Sequence, residues 1–225
     1  MSRVMLVLGM GTALLSTAGG RADADTPLSA AAAAGDLEAL RMFLEAGLKP
    51  DAPDGEGLTP LARAAAGGHV AALDALLDAG ADPNRADDAT GWTPLLHAVH
   101  HQQIAATRLL VARGADVRRT GPGGVTPLLI ASGDGSAALV ELLVDAGADP
   151  RQDGADGATP LSEAVSGGAF SEIDRPVFGV CHLPVVKALL ARDPSLRLPR
   201  NFRGHMARLV ARLSGHPEVL AMIGE

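Results

Sequence analysis

Thr59-Pro60-Leu61-Ala62-Arg63-Ala64-Ala65-Ala66-Gly67-Gly68, followed by His69 to Asp78, is the stretch that decides the fold. Thr is a good helix N-cap, Pro fits the first helical position, and Leu starts a buried face. The run Leu61 to Gly68 predicts a short helix of small residues that ends in glycines. His69 to Asp78 predicts a second helix, with Val70, Leu73, Leu76 and Leu77 spaced for one apolar face. Gly80-Ala81-Asp82-Pro83-Asn84 then stops it, with Gly at the C-cap and Pro just beyond.

The same phrase recurs along the chain. Thr-Pro-Leu stands at Thr26, Thr59, Thr93, Thr126 and Thr159, at steps of 33, 34, 33 and 33 residues. A fixed period of this size marks a stack of helical units, none of which can bury its apolar side alone. Gly114-Ala115-Asp116 and Gly147-Ala148-Asp149-Pro150 close later units as Gly80-Ala81-Asp82 closes the second. Turn-forming clusters lie between units at Asp54-Gly55-Glu56-Gly57, Asp87-Asp88-Ala89-Thr90-Gly91 and Gly121-Pro122-Gly123-Gly124.

From residue 26 to about residue 168 this pattern resembles the ankyrin repeat, which runs Gly-x-Thr-Pro-Leu, Ala, Gly-His, Leu-Leu, Gly-Ala-Asp. The resemblance implies an all-α solenoid of helix–turn–helix units joined by β-turn hairpins. It also implies a scaffold without a catalytic centre or cofactor, which binds another protein through its hairpin tips and the concave face of its first helices. One departure matters. The family's His after Leu is replaced by Ser29, Ala62, Leu96, Leu129 and Ser162, so any bonding it supplies between neighbours is lost or replaced.

The expected organisation is a signal peptide over 1–18, a linker over 19–25 and a repeat domain over 26–225. Repeats are expected near 26–58, 59–92, 93–125, 126–158 and 159–205, with a capping pair of helices at 206–213 and 217–223 in the last unit, 206–225. The fifth repeat breaks phase. Its second helix is delayed to His182 to Ala191, with Val185, Val186, Leu189 and Leu190 as its apolar face, which leaves 169–181 as an insertion.

Arg3, an apolar run from Val4 to Leu15, and Ser16-Thr17-Ala18 read as an export signal, too short to span a bilayer comfortably. Cleavage after Ala18, or alternatively after Ala24, would place the mature chain in a periplasm or outside the cell, with no membrane span. The competing reading is a worn half-repeat in a cytoplasmic protein, since Ala13-Leu14-Leu15 echoes Ala75-Leu76-Leu77. Its spacing is off, however: 11 residues separate Leu15 from Thr26, against 16 from Leu77 to Thr93.

Composition narrows the classes further. A hydrophobic content of 47% argues against disorder, and 2% aromatics leaves Ala, Leu and Val to build the core. A formal net charge of −7 disfavours nucleic acid as partner. One cysteine cannot form an intrachain disulfide and leaves the redox compartment open. A monomer is expected.

Several residues carry candidate chemistry. His97, His100 and His101 lie three and four apart on a predicted first helix and could hold zinc or copper, although no carboxylate or thiol nearby completes the set. Alternatively, they are polar groups of the partner-facing wall. Cys181 and His182 are adjacent, which sets their side chains apart on a helix and favours an inert thiol over a nucleophile–base pair. Trp92 fills the variable slot of Gly-x-Thr-Pro-Leu, held elsewhere by Leu58, Val125 and Ala158. The slot reads either as an apolar binding stripe or as packing between hairpins. The expected partner-binding set is Leu58, Arg63, Trp92, His97, His100, His101, Val125 and Asp134. From Arg192 to Arg212 six arginines accompany one acid, Asp193, a basic patch that reads as a solvated cap or as a dock for an acidic partner or headgroup surface. A narrower expectation, resting on the export reading, is a protein that protects or matures a periplasmic enzyme or neutralises a toxin.

Overall fold

The computed structural model describes residues 26–167, 180–213 and 215–224. The proposed signal peptide, the linker and residues 169–179 of the insertion lie outside the described residues. Among the described residues there are twelve α-helices, one short 3-10 turn at Pro122–Gly124, and no strand.

The helices fall into six pairs. They are α1 (Pro27–Ala34) with α2 (Leu37–Glu45), α3 (Pro60–Gly67) with α4 (Val70–Asp78), and α5 (Pro94–His100) with α6 (Ile104–Ala112). Then come α7 (Pro127–Gly133) with α8 (Ala137–Asp145), α9 (Pro160–Ser166) with α10 (Leu183–Arg192), and α11 (Phe202–Leu213) with α12 (Pro217–Met222). First helices pack on first helices in the order α1, α3, α5, α7, α9, α11. Second helices α2, α4, α6, α8 and α10 form a parallel outer layer.

All five threonines cap their helices. The hydroxyls of Thr26, Thr59, Thr93, Thr126 and Thr159 accept the N–H of Ser29, Ala62, Leu96, Leu129 and Ser162 at 3.0–3.3 Å. Each cap contributes about 1 kcal/mol. Two residues past each threonine, Leu28, Leu61, Leu95, Leu128 and Leu161 are fully buried. The second helices contribute Leu40, Leu73, Leu76, Leu110, Leu143 and Leu189. Each such leucine stabilises the stack by roughly 1.5–3 kcal/mol, a gain that exists only because a neighbouring repeat covers it.

Two expectations need correction. Val70 does not join the apolar face of α4; it is 38% exposed, and Ala72 is buried instead with Leu73 and Leu76. The last first-helix starts at Phe202, four residues before the expected 206, and α12 ends at Met222. Asn201 takes the place of threonine, and its Oδ1 accepts the Gly204 N–H at 2.9 Å. Gly204 therefore lies inside α11, where a Cβ would collide with the Pro199 carbonyl, instead of preceding a cap as the Gly-x-Thr register implies. The helix over Leu183–Arg192 buries Val185, Val186, Leu189 and Leu190 as its spacing predicts.

Bonding between neighbours is supplied from a different position than the missing family histidine. His69 Nε2 donates to the Ala33 carbonyl at 2.9 Å, Gln103 Nε2 to Ala66 at 3.4 Å, and His182 Nε2 to Gly133 at 3.1 Å. Each of these residues opens a second helix and reaches back to the preceding first helix.

Candidate functional site

The hairpins ahead of α3, α5, α7 and α9 are each closed at the base by a backbone bond, in addition to the bond within the turn. Asp54, Asp87, Gly121 and Gly154 donate their N–H to the carbonyls of Leu58, Trp92, Val125 and Ala158 at 2.8–2.9 Å. The Asp87 turn holds one more residue than the others, which accounts for the single 34-residue step.

In the hairpins ahead of repeats 2 and 3 the base residue is an aspartate, and it is buried. Asp54 accepts the N–H of Glu56 and Leu58 and pairs with Arg63 at 2.8 Å; Arg63 also reaches Glu56 at 2.7 Å. Asp87 accepts the Thr90 N–H and hydroxyl, and His97 Nε2 lies 2.7 Å from its Oδ2. Burial by itself would raise the Asp87 pKa; the bonds from His97 and Thr90 outweigh it and hold the carboxyl below its ordinary value. Arg63 and His97 occupy the same place, four residues after the capping threonine.

This geometry gives two residues of the expected binding set a role within the fold. His97 is only 7% exposed and turns inward to Asp87, so it braces the hairpin instead of facing a partner. Arg63 is likewise engaged at its hairpin, although a quarter of its side chain stays exposed.

Trp92 is half-buried. Its ring centroid lies 5.4 Å from that of His97 and 5.2 Å from that of His100, the latter edge-on. On its other side is Gly121, where a Cβ would stand 3.2 Å from Trp92 and 3.1 Å from Leu96. The indole thus uses the space left by a missing side chain on the next hairpin, which is the inter-hairpin packing that the slot admits. Leu58 and Val125 are also half-buried, and Ala158 is buried.

His100 and His101 are exposed at the end of α5, with their rings 5.2 Å apart. Burial, followed by the neighbouring His100 and His97, lowers the His101 pKa and favours the neutral ring. Asp134 is exposed just past α7. Gly67 is exposed at the end of α3, so the helix ends on either side of His100 and His101 present small or short residues.

Two family models match this chain. One, described as ankyrin repeats in three copies, matches residues 8–87 and 28–121. Another, described as ankyrin repeats in many copies, matches residues 110–164. The chain belongs to the ankyrin repeat family. No curated protein matches it. The first ankyrin match begins at residue 8, inside the stretch read as an export signal. Ankyrin repeats are in general protein–protein interaction modules.

Within this ankyrin stack the histidines do not converge as a ligand set, because His97 is committed to Asp87. Among the described residues no group of three or more His, Cys, Asp or Glu could hold a metal ion. Burial, helped by the charge of Glu218, pushes the Cys181 thiol up to about 11, and the His182 ring points to the Gly133 carbonyl. That thiol is a poor nucleophile at neutral pH.

The arginine-rich end largely ties itself together. Arg192 pairs with Asp145 at 2.9 Å, and Arg203 pairs with Asp156 and Glu163. Arg197 donates to the carbonyls of Pro194 and Leu196, and Arg208 to those of Leu198 and Pro199. No helix among the described residues is long and apolar enough to cross a membrane. Sequence reading placed Asp54, Asp87 and Gly121 in turns and gave them no further role. The signal for them was available: in each of repeats 2 and 3 a buried-type aspartate stands nine or ten residues before a cationic side chain.

Proposed function

We propose that this ankyrin repeat protein is a non-catalytic scaffold that holds another protein along its hairpin tips and the exposed ends of its first helices, centred on His100 and His101. The observation that supports this most directly is how the polar side chains of repeat 3 divide. His97 is consumed by the fold, whereas His100 and His101 stand exposed between the short residues of the flanking helix ends. Exposed side chains on a rigid repeat face are where adaptable recognition resides. Leu58, Trp92 and Val125 contribute the apolar border of that surface, and Asp134 its acidic neighbour.

Affinity capture with the parent and with the His100→Glu/His101→Glu double variant tests this reading. Loss of the captured protein from a variant that keeps the parent melting temperature is expected. Equal recovery by both would remove the two histidines from the site. We further propose export, resting on the order of charge and apolar residues over Met1 to Gly20. N-terminal sequencing of the protein recovered from cell fractions should find a chain starting after Ala18; an intact Met1 would overturn export. A partner that is an envelope enzyme or a toxin follows only if both tests succeed.

A further inference from the structure

We propose that the junction between repeats 3 and 4 is a hinge, on which repeats 1–3 and repeats 4–6 turn as two blocks.

Among the described residues, the junctions from repeat 1 to repeat 5 are built alike except at this one. Nine residues after each of the first four capping threonines the chain takes a positive φ, at Gly35 (67°), Gly68 (70°), Gln102 (55°) and Gly135 (77°). Across each junction a side chain from the next repeat lies over that spot. A Cβ on Gly35 would meet the His69 ring at 2.5 Å, one on Gly135 the His182 ring at 2.5 Å, and one on Gly68 would collide with Gln103. The covering residue is the one that donates to the preceding carbonyl, so glycine below and His or Gln above form one lock. At the junction of repeats 3 and 4 the sizes are exchanged. The lower position is Gln102, a non-glycine residue held at positive φ, and the upper position is Ser136. Serine is too short to reproduce the reach of His69 or His182, and among the described residues no bond from it reaches the corresponding His100 carbonyl.

Three further features coincide there. The hairpins ahead of repeats 2 and 3 are joined by Asp88 N–H to the Gly57 carbonyl at 2.9 Å, and those ahead of repeats 4 and 5 by Ala155 N–H to Gly123 at 3.0 Å. Among the described residues no such bond joins those ahead of repeats 3 and 4, where Trp92 rests on Gly121 instead. In the outer layer Arg113 at the end of α6 clasps Asp74 and Asp78 of α4, and Arg192 of α10 clasps Asp145 of α8. Among the described residues no ion pair joins α6 to α8, nor α2 to α4, where the His69 lock is in place. A groove of about 420 Å³ opens between those two helices, lined by Ile104, Arg108 and Val111 on one wall and Ala138, Glu141 and Leu142 on the other.

What remains is the apolar contact of α5 with α7, a slighter contact of α6 with α8, the seat of Trp92 on Gly121, and one bond from Arg118 Nε to the Gly147 carbonyl at 2.8 Å. Apolar packing is not directional, and hydrogen bonds and ion pairs are. A junction that keeps the first and lacks most of the second can roll about the first-helix layer while its outer helices part. His100 and His101 lie on one side of that line and Asp134 on the other, so the roll changes the spacing across the surface proposed above.

Spin labels on two matched pairs of cysteines test the hinge, with the buried Cys181 left in place. Ala71→Cys with Glu141→Cys spans the junction, while Glu38→Cys with Arg108→Cys covers the same number of residues and lies wholly within repeats 1–3. All four sites are exposed. The distance distribution of the spanning pair should be the broader. Adding Gln102→Gly with Ser136→His, which restores the lock, should narrow the spanning pair to the width of the control pair and leave the control unchanged. Equal widths in the unlocked protein would overturn the hinge, and so would a lock that folds but narrows nothing. If the locked variant does not fold, the comparison of the two pairs in the parent decides the matter.

Discussion

Repeats 2 and 3 and repeats 4 and 5 reach the same closed hairpin by different means. In the first two, a buried aspartate gathers the turn's donors and meets a cationic side chain four residues after the capping threonine. In the other two, a glycine takes the aspartate's place and the matching helix positions hold Ile130 and Glu163. The acid and its partner are kept together or dropped together within one chain. A cationic residue at this helix position is therefore explained first by its own hairpin and only then by a binding partner.

The largest effect is expected where that brace is most buried. Asp87→Ala strands His97 and the Thr90 donors and should cost about 3 kcal/mol in urea unfolding. A cost below about 1 kcal/mol would mean the brace is dispensable, as in repeats 4 and 5. Asp54→Ala should cost less, about 1–2 kcal/mol, because Arg63 is partly exposed and can be rehydrated. If the two losses prove equal, burial is not what separates the two braces.

Of similar size is a change at the seat of Trp92. Gly121→Ala leaves φ unstrained but intrudes on Trp92 and Leu96, and should destabilise by about 1 kcal/mol. In the opposite direction, Thr107 occupies a fully buried site that matches Leu40, Leu73 and Val140 in the other repeats, and its hydroxyl has no partner among the described residues. Thr107→Val should raise stability by about 1 kcal/mol; a loss would show that the hydroxyl is satisfied after all.

The smallest effects are those of pH. The folded His101 pKa lies below its ordinary value of 6.5, so its contribution is complete above that value and is lost as pH falls through the folded pKa. Between about pH 7 and pH 5, His101→Ala should flatten the acid decline of the melting temperature. Asp87 follows the same sign lower down: its contribution holds above 3.8 and fades as acid protonates the folded carboxyl. In Asp87→Asn this second decline should be missing.

The architecture was legible because its signal is local and repeated. Thr-Pro-Leu specifies a cap, a first turn and a core residue at once, and all five copies obey it. The sixth unit was misplaced because Asn201 performs the capping with a different side chain, and Arg203 stands where a leucine would announce the core. The site was less legible because it depends on contacts between units. Nothing within α5 tells His97 from His100; only Asp87, ten residues upstream and at the base of the turn, turns one inward and leaves the other exposed. The exchange of Gln102 and Ser136 was hidden for the same reason, since neither residue is unusual until the two are seen stacked.

Trp92 has one more consequence. It is the chain's single tryptophan, and the chain has no tyrosine. Intrinsic emission excited in the near ultraviolet therefore comes almost wholly from one indole, seated between two imidazoles and the Gly121 backbone. The native polypeptide carries its own optical gauge at the boundary of its two halves, so partner binding or mild denaturant can be followed there without adding a dye.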